Sequence, residues 1–412
     1  MLDITRLALL VGALSGRKPR FPAEAELAFS SHGTKDRNGM NLEQKPPRVL
    51  FLVPIAPPVG GVAQLSQGLF DSELQGQFNL ELINLASRPG ERLRTFAVDA
   101  SSFCFAGLIW LKLIAKLISF RPHVVYIASC YDWSYLRDVV LMLTAKVFGA
   151  KVVCHFHGYR SGPLFADPGS LVRSLLGWTT LSFDKIIFLS QGLKESLLPI
   201  FGRPKAEVIA NFVDVREFRP GNISNAHEPR IIFIGRLSDD KGIFELLKAT
   251  SLLLSESRAL FVDILGVAET DDEERIVRRF ASTAGLDANA LFHGVKTGQD
   301  KARLLAEATL FVLPSKLEVF PLALLEAYAS GLPAVCSRVG AVPEILKEGQ
   351  NGFLVPTGDP VALANGLRRI LDDPKLRQSM ASNNRSAAES LYDKGLAVGR
   401  LAEIFRSLCK QV

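Results

Sequence analysis

The sequence predicts an α/β protein in which parallel, doubly wound sheets form two units. Three observations point there. Short apolar runs of strand length alternate with helical stretches from Arg48 onward, at the spacing that parallel βαβ units need. At 412 residues the chain is long enough for two domains of ordinary size. A segment rich in Pro, Asn and Gly, Asn211 to Asn225, separates two such series and reads as an interdomain linker. The expected plan is an extension at 1–47, a first domain at 48–220, a second at 221–387 and a closing helix at 388–412.

Composition narrows the partners. Hydrophobic content of 48% and charged content of 22% are those of a globular protein. A net charge of +6 suits anionic ligands such as nucleotides or lipid headgroups. No basic run resembles a nucleic-acid arm, so no nucleic acid is expected as partner. Cys104, Cys130, Cys154, Cys336 and Cys409 are odd in number and lack a C-x-x-C pair, which fits small buried hydrophobes in a reducing, cytoplasmic compartment. At the start, Leu7 to Leu14 is apolar but too short to span a bilayer, and with Arg6 and Ala13-Leu-Ser15 it weakly imitates a secretory signal. Ser15 to Pro47 is polar, rich in breakers and reads as disordered; Met40 stands just before the first strand as an alternative start.

Arg48 to Val53 is the first buried strand. The loop Pro54 to Pro58 leads into Gly60-Gly61-Val62-Ala63 and an amphipathic helix to about Leu74. Glycines there let backbone approach a ligand and leave the helix start open to an anion. The pattern is not G-x-G-x-x-G, so no dinucleotide fingerprint is predicted. Strands then follow at Asn79 to Asn84, His123 to Ile127 and Lys151 to Phe156, with helices at Phe103 to Phe120 and Trp133 to Phe148. The helix Phe103 to Phe120 carries Lys112 and Lys116 on one face, which fits either an ordinary packing helix or one resting on an anionic membrane surface. His155 and His157 point the same way on their strand, yet no third ligand lies near and a metal pair is disfavoured. Asp184 to Leu189 is another strand, followed by Glu207 to Asp214.

The second series opens with the strand Arg230 to Ile234 and the turn Gly235-Arg-Leu-Ser-Asp-Asp-Lys241-Gly242. Arg236 and Lys241 flank that turn just before a helix, Ile243 to Leu254, where two cations can neutralise a diphosphate. Strands follow at Leu260 to Leu265 and Leu291 to His293. Thr309 to Leu313 is then a buried strand, Pro321 suits the first position of a helix from Leu322 to Ser330, and Ala334 to Cys336 is the next strand. Two glutamates are thus presented at the carboxyl end of a parallel sheet, Glu318 in the loop and Glu326 in the helix. Taken alone, the pair reads as ordinary solvated glutamates on a loop and a helix, since short motifs match by chance. Amides from Phe320 to Ala323 are free donors for an anion. Helices resume from about Asp359, the last near Ala388 to Leu408.

The stretch from Pro314 to Glu344 resembles the C-terminal signature of glycosyltransferase family 4, the retaining sugar transferases of GT-B fold. The matching residues are Pro314-Ser315, Glu318, Phe320, Glu326, Gly331-Leu-Pro333 and Gly340-Ala-Val-Pro-Glu344. Val319, Pro321 and Ala341 depart from the pattern, as does Phe212 in an earlier segment where the family has glycine. The resemblance covers roughly Arg48 to Leu408. It implies two Rossmann-like domains facing a central cleft, with the final helix crossing back onto the first domain. It also implies that Arg236 and Lys241 grip the donor diphosphate, that Glu318 contacts the donor sugar with His157 beside it, and that Glu326 hydrogen-bonds the ribose. Gly61, Phe320, Pro321 and Leu322 are implied to line the donor site.

Departure of a nucleoside diphosphate needs its negative charge stabilised, either by a metal on an Asp-x-Asp pair or by fixed cations and amides. The chain contains no Asp-x-Asp, so no metal and no cofactor is expected. No residue announces itself as a covalent nucleophile, which favours front-face transfer over double displacement. The expected substrates are a UDP-, GDP- or ADP-sugar and a glycan or lipid-linked acceptor in cell-surface polysaccharide or glycolipid assembly. A GT-B epimerase or phosphorylase and a non-catalytic nucleotide-sugar-binding protein are the alternatives.

Overall fold

The computed structural model describes residues 45–56, 60–86, 100–130, 134–158, 170–201, 205–221 and 228–410. The signal-like stretch at 7–14 and the polar extension up to residue 44 lie outside these residues, as do parts of the loop at 54–58 and of the linker at 211–225.

In the first domain the strands are β1 (Arg48–Val53), β2 (Asn79–Asn84), β3 (Val124–Ser129), β4 (Lys151–Phe156), β5 (Lys185–Phe188) and β6 (Ala206–Val208). Their connections are α1 (Gly61–Phe70), α2 (Ala100–Ser119), α3 (Ser134–Val147), α4 (Ser170–Leu181) and α5 (Gln191–Phe201). In the second domain the strands are β7 (Arg230–Ile234), β8 (Phe261–Leu265), β9 (Ala290–Gly294), β10 (Leu310–Leu313), β11 (Ala334–Ser337) and β12 (Gly352–Val355). The helices there are α6 (Ile243–Ser255), α7 (Asp271–Thr283), α8 (Gly298–Glu307), α9 (Leu322–Ala329), α10 (Val342–Ile345), α11 (Pro360–Asp372), α12 (Pro374–Leu391) and α13 (Lys394–Cys409).

Both sheets are six-stranded and parallel throughout, in the orders β2-β1-β3-β4-β5-β6 and β12-β11-β10-β7-β8-β9. Strands such as β1, β3 and β10 are covered on both faces, which is why they read as continuous apolar runs rather than alternating ones. On one face of the first sheet, Ile109, Leu113 and Leu117 of α2 pack with Tyr135 of α3 and Leu176 of α4. The opposite face is covered by α1 and, from the far end of the chain, α13. Phe405 of α13 meets Phe51, Phe78 and Tyr126 edge-on at 5.7–6.1 Å, so the chain closes back onto the domain where it began.

Three local expectations are corrected. The first helix stops at Phe70, because Ser72 caps a separate 3₁₀ turn, Glu73–Gly76, by accepting from the Leu74 amide. The final helix is two. α12 ends at Leu391, and Asp393 starts α13 by accepting the Gly395 amide at 2.8 Å. Between them Val213 bridges Tyr392 and Lys394 through two 2.9 Å backbone bonds, a non-local tether that local pattern does not show. Pro321 stands just before α9, with extended backbone (φ −72°, ψ 117°), rather than inside its first turn.

Candidate active site

Each sheet has one place where its strand order reverses. In the first it lies between β1 and β3, and in the second between β7 and β10. Loops leaving such a point on opposite sides open a crevice at the carboxyl ends of the strands. The residues singled out in the sequence issue from these points: Gly61 after β1, Arg236 and Lys241 after β7, Glu318 to Leu322 after β10.

The β7 and β10 loops are joined tightly. Gly242 adopts φ +70°, and a Cβ there would stand 2.1 Å from the Pro314 carbonyl oxygen; Gly340, at φ +50°, would meet the Glu318 carbonyl oxygen at 2.0 Å. Only glycine fits either approach. The Lys241 ammonium donates to Glu318 Oε1 at 2.7 Å and lies 3.4 Å from the Leu317 carbonyl. Lys316 pairs with Asp239 at 2.7 Å and with Glu245 at 3.2 Å. The Arg236 guanidinium is half-exposed between Asp240 at 3.1 Å and Glu269 at 3.2 Å. Thus the structure brings Lys241 and Glu318 together, while Arg236 stands at the rim held by two half-buried carboxylates of its own neighbourhood.

Across the crevice the starts of α1 and α9 converge. An ideal Cβ on Gly61 would lie 3.3 Å from Leu322 Cδ1, so the two helix starts are close neighbours. Neither start carries a side-chain cap, which leaves backbone donors and two positive helix ends directed at one space. Leu322 packs against the cores of both domains. Phe320 is buried, and its carbonyl accepts from Asn211 Nδ2 at 2.8 Å, tying the loop to the segment that joins the domains.

Glu326 is buried on α9, and one carboxylate oxygen serves both domains. Oε1 accepts from Lys301 of α8 at 2.5 Å and from Gln64 of α1 at 3.4 Å. Lys301 is nearly as enclosed as its partner, with side-chain exposures of 8% and 7%. Sequence reading missed Lys301. Its signal was a lysine on the inward stripe of α8, beside Ala302 and one turn before Leu305.

His157 follows β4 and is buried. Its Nδ1 and the Nε2 of His155 both lack a hydrogen-bond partner. The two rings, 4.1 Å apart between centroids, border a cavity of about 10 Å³ closed by Leu65, Asn211 and Leu401, at the lower limit for one water. Burial lowers the His157 pKa to about 4, so the ring is neutral near pH 7. This position is set back from the Lys241–Glu318 pair, on the α1 and α13 side of the first sheet. Glu344 was singled out only as part of a motif. It grips the first domain: its oxygens accept the Gln191 and Gly192 amides at 3.0 and 2.9 Å, capping the start of α5 from the opposite side of the crevice. Among the described residues no cluster of His, Cys, Asp and Glu is arranged to hold a metal.

Two parallel α/β domains with their switch points facing across a crevice define the GT-B class. The sucrose-phosphate synthase of Thermosynechococcus elongatus shares this fold with a TM-score of 0.72 at 17% identity, over 89% of this chain and all of that one. HepE of Anabaena, solved in complex with UDP, shares it with a TM-score of 0.69 at 19% identity, over 87% of this chain and all of that one. In sequence, residues 214–387 match the glycosyl transferases group 1 family, and residues 84–217 match Glycosyltransferase Family 4. An uncharacterised glycosyltransferase of Methanocaldococcus jannaschii is 30% identical over 284 residues, 65% of this chain and 71% of that protein. The chain belongs to the group 1, family 4 glycosyltransferases.

Proposed function

We propose that this glycosyltransferase moves a hexose-type sugar, with retained anomeric configuration and without a metal, from a nucleoside diphosphate to a hydroxyl of a glycan or lipid-linked acceptor. Assembly of cell-surface polysaccharide or glycolipid is the setting that suits such an acceptor. The observation that carries the reading is the meeting of two uncapped helix starts, at Gly61 and Leu322, beside the Lys241–Glu318 pair. A diphosphate is the anion this arrangement fits, since backbone donors, two helix ends and a lysine all address one space. Arg236, exchanging its rim carboxylates for phosphate oxygens, supplies the second cation.

In this reading Glu318 is held by Lys241 and accepts hydroxyls of the donor sugar, and Glu326, held by Lys301, accepts from the ribose. His157 is assigned to the sugar side in its neutral form. The bond from the anomeric carbon to the diphosphate oxygen breaks as Lys241, Arg236 and the amides take up the developing charge. The acceptor oxygen bonds to the same face of that carbon, and its proton passes to the departing phosphate. HepE, a protein of the same fold, holds UDP, which makes uridine diphosphate the first donor to test. The experiment is nucleotide release from UDP-, GDP- and ADP-sugars with and without acceptor sugars, in chelator. Acceptor-dependent release with the product's anomeric proton signal matching the donor's supports the reading. Release that requires a divalent cation, or a product of inverted configuration, overturns it.

A further inference from the structure

The small cavity beside His157 is lined mostly by apolar side chains, among them Leu65 of α1 and Leu401 of α13. Three polar side chains complete its wall: His155 of β4, His157 just after it, and Asn211 from the segment that joins the domains. Each is more than nine-tenths buried, with 3%, 8% and 7% of its surface exposed. Each also keeps one buried atom without a hydrogen-bond partner: His155 Nε2, His157 Nδ1 and Asn211 Oδ1. Buried polar groups are rarely left unpaired, and three around one cavity call for a shared partner.

The directions of the surrounding bonds decide what that partner is. The Tyr126 hydroxyl of β3 lies 2.7 Å from His155 Nδ1, its one polar partner among the described residues. Burial raises the pKa of this phenol, which stays protonated, and its O–H aimed anywhere else would lack an acceptor. Tyr126 therefore donates, Nδ1 accepts, and the neutral His155 ring carries its proton on Nε2. Burial keeps that ring neutral, while the Ile209 backbone acts the other way, as a carbonyl facing Nε2–H does, without completing a hydrogen bond. Asn211 is fixed as well. Its Nδ2 donates to the Phe320 carbonyl at 2.8 Å, so the atom left over is Oδ1, which can only accept. The cavity thus offers one donor, one acceptor and His157 Nδ1, which takes whichever role remains. A water that accepts once and donates twice satisfies all three, and a volume of about 10 Å³ admits nothing larger. A metal ion fits less well, because the proton on His155 Nε2 blocks coordination and Asn211 brings no charge.

We infer that this cavity is the site of one water molecule, which accepts from His155 Nε2 and donates to His157 Nδ1 and Asn211 Oδ1. The consequence is a fixed tautomer. With Nδ1 accepting, the neutral His157 ring carries its proton on Nε2, as a donor to an oxygen. Tyr126, His155 and Asn211 are then positioning residues for His157, and Asn211 joins the same chain of bonds to the β10–α9 loop through Phe320. Only the use of that Nε2 proton on a sugar hydroxyl rests on the proposed transferase function. The test is nitrogen-15 NMR of the full chain labelled at its six histidines, with His155→Gln and His157→Gln to assign the signals. Long-range proton–nitrogen correlations distinguish the tautomers, and cross-peaks between ring protons and water detect the bound molecule. Near pH 7 the wild-type protein should show both rings as the Nε2–H tautomer, with a long-lived water at His157. Tyr126→Phe keeps the ring that packs on Phe51 and Phe405 and should shift both histidines from one tautomer to a mixture. The wild-type spectrum decides the matter even where that variant fails to fold. No nucleotide or sugar is present, so failure of the transferase reading leaves the result interpretable. A wild-type His157 in the Nδ1–H form, no water cross-peak at the cavity, or a His157 tautomer untouched in folded Tyr126→Phe would each overturn the inference.

Discussion

Replacing Lys301 by methionine tests whether Glu326 depends on its lysine. Methionine keeps most of the unbranched stem and removes the ammonium, which lies 2.5 Å from Glu326 Oε1 and 5.9 Å from the Phe218 ring centroid. What remains for a carboxylate only 7% exposed is one 3.4 Å contact from Gln64. Breaking a buried ion pair by removing one partner costs about 3–5 kcal/mol, because the surviving charge stays buried. At about 2–4 °C per kcal/mol for a domain of this size, the melting temperature should drop by roughly 10 °C. Adding Glu326→Gln to Lys301→Met removes the orphaned charge and should restore more than half of that loss, a strong coupling between the two changes. The assay is thermal and urea unfolding of the four proteins followed by circular dichroism. A Lys301→Met protein melting within about 1 °C of wild type, or two losses that simply add, refutes the reasoning.

The remaining predictions follow from the other contacts. Arg236→Ala or Lys241→Ala should lower kcat by about two to three orders of magnitude, the size of effect seen when one electrostatic donor to developing charge is lost; steady-state kinetics that move only KM would contradict this. Glu344→Ala should cost about 1 kcal/mol through the lost cap on α5. Gly192→Ala should do about as much, since its Cβ would press on Glu344 Oε1 at 2.7 Å, and the double variant should be no worse than the poorer single one. Acid should destabilise the fold through His157. Its pKa is 6.5 unfolded and about 4 folded, so the unfolded chain binds the extra proton and stability is lost as pH falls from 6.5 to 4. The loss approaches about 3 kcal/mol, with buried His155 acting in the same direction. Urea unfolding of His157→Gln should show a shallower pH dependence over that range, and an unchanged one would exclude this cause.

Much of this was legible because burial on both faces writes itself locally. Arg48 to Val53 and Lys151 to Phe156 end in the structure at the same residues the apolar runs indicate; the edge strand Asn79 to Asn84, with Ile83 its one buried residue, was legible instead from its alternation of polar and apolar residues. Gly61 was read as a place where backbone comes close to a ligand, whereas Gly242 and Gly340 entered only as members of a turn and a motif, and it is the structure that shows the carbonyls they must admit. What sequence could not show is which distant groups neutralise each other. Lys241 and Glu318 are 77 positions apart and Lys301 and Glu326 are 25 apart, yet each forms one pair. The division of the last helix was hidden for a similar reason, since its break is anchored by Val213 rather than by a local proline. Asp393 was the available signal.

The central claim is that the crevice between Gly61, Lys241 and Glu326 binds a nucleoside diphosphate. Calorimetric titration of UDP, GDP and ADP into the wild-type chain and into Lys241→Ala and Glu326→Ala tests it most directly. One of the three should bind wild type in chelator, Lys241→Ala should lose the diphosphate's contribution, and Glu326→Ala should weaken binding about tenfold through the lost ribose bonds to a charged group. A nucleotide that binds all three proteins alike would place the donor elsewhere.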